Sequence, residues 1–179
     1  MVVPIDKARN IILPYDNPPP GPKYSLGSMA MLVVHDPPFD QQILKNTFDY
    51  ERSLAGPRHH GIGFSMDAQA AMAAFLGERG EAASLYRESW QNVWVEPYGM
   101  IKEAPHEDYA CFLTNFGSLL QTAMFGFTGI RVTHPGWAKY PATLPEGWES
   151  IEIDRIWMHG EPKRLVCRNG SPAQILELE

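Results

Sequence analysis

The chain has 179 residues, 44% of them hydrophobic and 20% charged, so it can bury a core and is too apolar to be disordered throughout. Its 15 basic and 21 acidic residues give a net charge of −6, which argues against nucleic acid or an anionic membrane as a partner. The longest apolar run, residues 29–34, is far shorter than the roughly 20 residues that cross a bilayer.

The N-terminus lacks the basic-then-apolar order of a signal peptide, so we expect a cytoplasmic protein if Met1 is the native start. Cys111 and Cys167 are too few and too far apart for a zinc site, and the six His residues are scattered. We therefore predict no metal, no cofactor and free thiols, with a single disulfide as the open alternative.

Residues 1–23 read as an extended, proline-rich arm. Prolines fix φ and remove backbone donors, so no helix or central strand is expected to run through the cluster Pro18, Pro19, Pro20 and Pro22. We interpret this segment as a linker, or as an arm that wraps a partner surface.

Residues 24–133 carry helical patterns. Residues 25–34 are apolar and compatible with a helix. Residues 40–51 predict an amphipathic helix whose apolar stripe consists of Ile43, Leu44, Thr47 and Phe48.

A helical hairpin is predicted next, from about residue 65 to 76 and from 81 to 94. The connection is short, which favours an antiparallel pair, and Asp67 adds negative charge to the first turn. An irregular stretch follows, and residues 112–127 then give the strongest helical periodicity in the chain.

Residues 134–179 change character. Short, partly alternating runs at 151–157, 164–167 and 174–178 are separated by turn sequences, which predicts a small antiparallel sheet. The predicted fold class is therefore mainly α with a small β appendage. The pattern alone leaves open whether the helices form an ordinary bundle or part of a toroid of hairpins.

Two stretches carry a family resemblance. Residues 93–96 read V-W-V-E, and residues 112–132 contain F-L-T followed by F-G-F-T-G-I-R. Together they resemble the last catalytic hairpin of glycoside hydrolase family 65, in particular the acid trehalases and protein-glucosylgalactosylhydroxylysine glucosidases. The L-P-E-G-W run at 144–148 is similar to the start of that family's C-terminal cap. The family's G-x-G-G is replaced here by Asn115-Phe116-Gly117-Ser118, a bulkier loop.

The resemblance implies a partial (α/α)6 toroid, of which residues 24–133 supply the C-terminal hairpins and residues 134–179 a β cap. It also implies an inverting hydrolase of small α-glucosides such as trehalose or a glucosyl-galactosyl unit. Such enzymes need a general acid as well as a base. No residue of this chain matches the acid, so we expect an N-terminal chain or segment to complete the barrel.

The resemblance places the general base at Glu96, with Glu103 as second candidate and Glu107 in the same loop. Trp94 and Tyr98, beside Glu96, are candidates for stacking on a sugar ring. His59 and His60 are candidates for hydrogen bonds to sugar hydroxyls, although such a pair is also ordinary loop polarity.

Two alternatives stay open. One is a non-catalytic carbohydrate-binding or scaffold module derived from the barrel. The other is a phosphorylase subunit, which a carboxylate base at Glu96 argues against, because phosphorylases use phosphate in place of activated water.

Overall fold

The computed structural model describes residues 4–13, 15–16, 39–54, 62–91, 93–107, 111–132 and 137–178. Within these ranges the chain forms four α-helices, one π-helical turn and nine β-strands in four sheets. The prediction of a mainly α fold, a partial (α/α)6 toroid with one small sheet, is therefore wrong. Hairpins of two- and three-residue strands interrupt the helices, and such strands are too short to leave an alternating pattern in the sequence.

The first described helix, α1 (Gln41–Leu54), follows its predicted amphipathic pattern. All four residues of the predicted stripe are buried, which confirms that prediction: Ile43, Leu44, Thr47 and Phe48. The helix starts where Asp40 Oδ1 accepts a hydrogen bond of 2.8 Å from the Ile43 amide, the usual role of an N-cap side chain.

The predicted helical hairpin is confirmed as α2 (Gly63–Phe75) and α3 (Arg79–Gln91). The alanine-rich α2 is buried over most of its surface and is the centre of the helical layer. Helix α3 ends at Gln91, so the prediction that it reaches residue 94 is wrong. An apolar run that continues past a helix end fits a strand equally well, which is why periodicity did not show the stop.

The strong periodicity of residues 112–127 corresponds to α4 (Leu113–Gln121), which continues as a π-helical turn, Thr122–Gly126. The close approach of this turn to α2 requires a glycine. A Cβ on Gly126 would lie 2.8 Å from the Ala71 Cβ, closer than packed side chains tolerate.

Three small hairpins join or flank these helices. They pair β1 (Ile5–Asp6) with β2 (Ile11–Ile12), β3 (Trp94–Val95) with β4 (Met100–Ile101), and β5 (Ile130–Val132) with β6 (Trp137–Lys139).

The first hairpin attaches residues 4–13 to α1. Ile11 and Ile12 are buried, and the Ile12 amide donates a 2.9 Å hydrogen bond to Thr47 Oγ1. This hairpin was not predicted, because its two-residue strands lie in a segment that reads as an extended, proline-rich arm.

The C-terminal antiparallel sheet was predicted and is confirmed as β7 (Ser150–Met158), β8 (Glu161–Arg168) and β9 (Gln174–Glu177), in that spatial order. His159 and Gly160, both with positive φ, make the tight turn between β7 and β8. Ile156, Leu165 and Cys167 from this sheet belong to the same buried cluster as the helices. The sheet is therefore part of the main core.

The L-P-E-G-W run connects that sheet to the helices. Leu144 is buried, and the Trp148 ring packs edge-on against Tyr86 at 5.7 Å and Phe127 at 5.9 Å. Arg79, at the start of α3, donates from Nε to the Leu144 carbonyl at 2.7 Å. The motif thus joins the second half of the chain to α3.

Both cysteines are free thiols, Cys167 buried and Cys111 exposed, so the disulfide alternative is not realised. The described part of the chain contains no helix with the length and hydropathy needed to cross a membrane. The helix predicted over residues 25–34 lies outside the described residues.

Candidate functional site

Residues 93–107, here called the carboxylate loop, connect α3 to α4 and contain three of the glutamates singled out in the sequence. The loop opens with the β3–β4 hairpin, whose turn spans residues 96–99. Gly99 has φ of +63°, and a Cβ there would lie 3.0 Å from the Trp94 ring. The turn is therefore closed tightly over the indole, and this requires a glycine.

Glu96 lies in this turn and is exposed. Its Oε1 accepts a 2.9 Å hydrogen bond from the Trp94 indole Nε1–H. Helix α3, predicted to reach residue 94, ends at Gln91, and the strand β3 separates it from Glu96. The carboxylate is thus oriented by an aromatic neighbour, without a contribution from the helix dipole.

Exposed aromatic side chains lie in this hairpin and next to it. Trp90 and Trp94 contact each other edge-to-face, with ring centroids 6.4 Å apart. Trp94 is 44% exposed and Tyr98 83% exposed. Rings left in solvent beside a carboxylate offer both a stacking surface and a hydrogen-bond acceptor, the combination that a sugar ring uses.

Glu103 lies further along the carboxylate loop and is partly buried. Its backbone carbonyl accepts a hydrogen bond from the Asn115 side chain at 3.2 Å and a longer one, 3.4 Å, from the Gly63 amide. Gly63 begins α2 and Asn115 lies in the first turn of α4. The backbone of Glu103 is therefore fixed where two helices start.

Asn115 holds that junction together. It is 2% exposed, accepts a 2.8 Å hydrogen bond from the Phe64 amide and donates one of 2.7 Å to the Lys102 carbonyl. Gly63 leaves room for it, since a Cβ there would come within 2.4 Å of Asn115 Nδ2. The first departure from the family's G-x-G-G is thus a buried bridge between α4, α2 and the carboxylate loop.

The second departure, Ser118, serves a buried acid. Asp67, in α2, is 1% exposed, and its Oδ2 accepts a 2.6 Å hydrogen bond from Ser118 Oγ. Burial raises the pKa of Asp67 to about 6, and the Ser118 and Ser89 hydroxyls oppose that rise. Burial, and then the nearby Asp67 charge, raise the pKa of Tyr86 to about 12.

Sequence reasoning missed this role of Asp67, which it treated as a first-turn helix charge. Two features of the sequence could have indicated it: Asp67 is an acid in an alanine-rich helix, and Ser118 stands where the family has a glycine. Since Asp67 is sealed from solvent, we interpret it as a residue that joins α2 to α4 and not as one that touches substrate.

The T-G-I-R run lies at the other end of α4. Gly129 has φ of +73°, and a Cβ there would lie 2.3 Å from the Tyr140 carbonyl oxygen, so only glycine fits. Thr128 and Arg131 are buried on either side. The run forms the turn from the π-helical segment into β5.

The predicted site residues divide into three groups. Trp94, Glu96 and Tyr98 share one hairpin, and Glu103 lies in the same loop but against the helix starts. His59 and His60 lie outside the described residues. Among the residues that the structure does describe, no group of three His, Cys, Asp or Glu side chains is placed to hold a metal ion.

Comparison with known proteins gives one partial similarity. A protein named kojibiose hydrolase, from Mucilaginibacter mallensis, is 28% identical over 81 residues, which are 45% of this chain and 12% of that protein. The aligned stretch is thus a small part of the relative's length. No protein-family model matches the chain. The similarity supports a glycoside-hydrolase-like role at the level of the class.

Proposed function

We propose that this chain contributes the water-activating half of a glycoside hydrolase active site, and that the substrate is a small α-glucoside. The partial similarity to a kojibiose hydrolase is the observation that carries the proposal. Kojibiose is itself a disaccharide of α-linked glucose, which agrees with the substrate class that the motifs imply.

The chemistry assigned to the carboxylate loop is general base catalysis. In an inverting hydrolase a carboxylate takes a proton from water on one face of the sugar while an acid, about 6.5–9.5 Å away, protonates the leaving oxygen on the other. Glu96 and Glu103 are the two candidates for the base. The stacking surface is assigned to Trp94 and Tyr98.

Burial and anchoring favour Glu103 for this role. A base works best when few waters compete for it and its position is fixed. Glu103 is partly buried and its backbone is bound by Asn115, whereas Glu96 is exposed and already accepts a hydrogen bond from the Trp94 indole N–H. On this proposal Glu96 orients Trp94 against the sugar.

The general acid is proposed to come from other polypeptide, either an upstream segment or a partner chain. The carboxyl with a raised pKa near the loop, Asp67, is 1% exposed and cannot reach a leaving group. A base without its acid would act only on substrates whose leaving group needs no protonation.

A non-catalytic sugar-binding module is the second candidate function, and one observation favours it. The Trp90–Trp94 pair and Tyr98 are exposed, and such modules bind sugars on exposed aromatic rings. A phosphorylase subunit is the third candidate and would require phosphate for turnover.

The substrate α-D-glucosyl fluoride distinguishes these three functions, because its fluoride leaves without help from a general acid. The full chain should release fluoride without added phosphate, and ¹H NMR in the first minutes should show β-glucose, the inverted anomer. Binding of kojibiose, followed by tryptophan fluorescence, with no fluoride release would indicate the binding module. Release that depends on phosphate would indicate the phosphorylase, and neither binding nor release would refute all three.

A further inference from the structure

Trp157, near the end of β7, is the most exposed tryptophan of the chain. Its exposed fraction is 64%, and its cross-strand partner on β8 is Pro162. A large aromatic ring left in water gives up the free energy that its burial would provide. Neither the buried core nor the proposed base chemistry uses this ring, so it is a candidate for contact with a ligand.

A β-bulge turns the Trp157 ring outward. The pairing of β7 with β8 shifts between Ile153 and Ile156, so that two residues of β7 lie opposite Arg164. Ile153 and Ile156 both pack against the core, although side chains three residues apart on a regular strand point to opposite faces. Without the extra residue, Trp157 would point inward as Ile153 does. The bulge therefore keeps both isoleucines inside and places the indole outside.

The side of this sheet that carries Trp157 is here called the outer face. It consists of Glu152, Asp154, Trp157, Pro162, Arg164 and Leu176. The alternate residues Ile156, Leu165 and Cys167 belong to the core that the sheet shares with the helices. The outer face is therefore turned away from the helices that hold the carboxylate loop.

Polar groups lie beside the ring on the outer face. Arg164 Nη2 is 2.7 Å from Glu152 Oε2, and Arg164 Nε is 3.5 Å from Asp154 Oδ1. Arg164 is two residues from Pro162 on β8, which makes it a diagonal neighbour of Trp157, roughly 7–8 Å away across the strands. Long side chains reach over that distance. One ligand can therefore contact the indole and the ion pairs at the same time.

This combination of groups matches a neutral sugar. The C–H face of a pyranose ring packs flat on an indole, and its hydroxyls need both donors and acceptors within reach. Arg164 supplies donors and the two carboxylates supply acceptors, and the side chains of Arg164, Glu152 and Asp154 are 43%, 43% and 90% exposed. Because the two carboxylates compensate the guanidinium charge, the face favours hydroxyl groups over an anionic group.

The extent of the outer face favours a small ligand over a protein. A stable protein interface uses about 20–30 residues on each side. The outer face offers one exposed indole with ion-paired side chains next to it, which is the surface that one or two sugar units cover.

We propose that the outer face of the C-terminal sheet binds a neutral oligosaccharide, with one pyranose ring stacked on Trp157 and its hydroxyls bound by Arg164 and Glu152. This site is distinct from the carboxylate loop and does not depend on the proposed hydrolase chemistry. Its test is a binding measurement, so its failure would leave the fluoride-release prediction unaffected.

Isothermal titration calorimetry on the full chain tests the ligand class with three probes: maltohexaose, cellohexaose and hexagalacturonate. We expect at least one of the two neutral hexasaccharides to bind with a Kd of about 1 mM or tighter, and hexagalacturonate to bind at least about tenfold more weakly. No binding of either neutral probe would overturn the proposal. Equally tight binding of hexagalacturonate would also overturn it.

Three variants locate the binding. Trp157→Ala should weaken the neutral hexasaccharide at least about tenfold, and Arg164→Gln should weaken it by a smaller factor. Trp94→Ala removes an exposed ring from the carboxylate loop and should keep the wild-type affinity. If Trp157→Ala does not fold by circular dichroism, Arg164→Gln decides. Wild-type affinity in folded Trp157→Ala, or a loss in Trp94→Ala alone, would overturn the assignment to the outer face.

Sedimentation equilibrium distinguishes a sugar from a second copy of the chain as the occupant of the outer face. At the concentrations used for calorimetry, wild type and Trp157→Ala should have the same mass. A wild-type dimer that Trp157→Ala dissociates would show that a second copy covers the ring, and this result would overturn the proposal.

Discussion

At the scale of single residues, Asn115 is the clearest case of a side chain whose meaning depends on its surroundings. In sequence it marks a departure from a family glycine and implies a bulkier loop against the sugar. In the structure it is buried and binds the Phe64 amide and the Lys102 and Glu103 carbonyls. Sequence alone supplies the substitution but cannot tell which way the side chain turns.

Replacing Asn115 should therefore loosen the junction of the carboxylate loop with α2 and α4. Asn115→Gly, which restores the family residue, leaves the Phe64 amide and two carbonyls without this partner and should cost about 2–4 kcal/mol of unfolding free energy. Urea unfolding measures the change. Gly117→Ala is the control, because space around Gly117 is open. A loss below about 0.5 kcal/mol for Asn115→Gly would show that the bridge is dispensable.

The buried acid Asp67 predicts a pH dependence of stability. Its pKa is about 6 in the folded chain and near 3.8 when unfolded, so the folded state binds more protons between these values. The contribution of Asp67 to stability should accordingly fall as the pH rises from about 4 to 6, by up to roughly 3 kcal/mol, and then stay constant.

Urea unfolding of wild type and Asp67→Asn at pH 4.5, 5.5, 6.5 and 7.5 isolates that contribution. The variant should lack the Asp67 component of the pH slope, while Asp154→Asn, at a side chain 90% exposed, should keep it. Identical slopes for wild type and Asp67→Asn would mean that Asp67 is not the group responsible.

At the scale of elements, the sequence predicts those helices and strands that are long enough to show a hydrophobic period. The apolar stripe of α1, the α2–α3 hairpin and the sheet of β7, β8 and β9 are each long enough to show a period of 3.6 or 2. The two- and three-residue strands, the π-helical turn and the end of α3 at Gln91 leave no such signal, because tertiary packing decides them.

The turn after the π-helical segment makes a prediction at this scale. Gly129→Ala combines a positive φ with a Cβ 2.3 Å from the Tyr140 oxygen, so the turn into β5 must deform. We expect a loss of about 2–3 kcal/mol in thermal or urea unfolding. Gly170 has φ of +76° but open space around it, so Gly170→Ala measures the cost of the positive φ alone and should lose about 1 kcal/mol. Equal losses for the two variants would remove the role assigned to close packing at Gly129.

At the scale of the whole molecule, the C-terminal sheet and the helices share one buried cluster, which includes Phe48, Phe127, Ile156 and Leu165. The prediction of a helical toroid with a separate cap did not foresee this, because short segments of a family pattern do not fix how elements pack. The candidate site was predicted as a set of residue types in one loop. The sequence does not show that Glu96 is exposed in a hairpin turn while the Glu103 backbone is bound, because this difference depends on contacts between residues far apart in the chain.

Whether a carboxylate of the loop activates water is measured by fluoride release from α-D-glucosyl fluoride by matched glutamate variants of the full chain. Glu103→Gln should lower the rate about 10²–10⁴-fold, Glu96→Gln should lower it less, and Glu149→Gln, at an exposed position outside the loop, should leave it unchanged. A large loss in Glu96→Gln alone would move the base to Glu96. Rates within tenfold of wild type for both Glu103→Gln and Glu96→Gln would show that neither carboxylate is the general base.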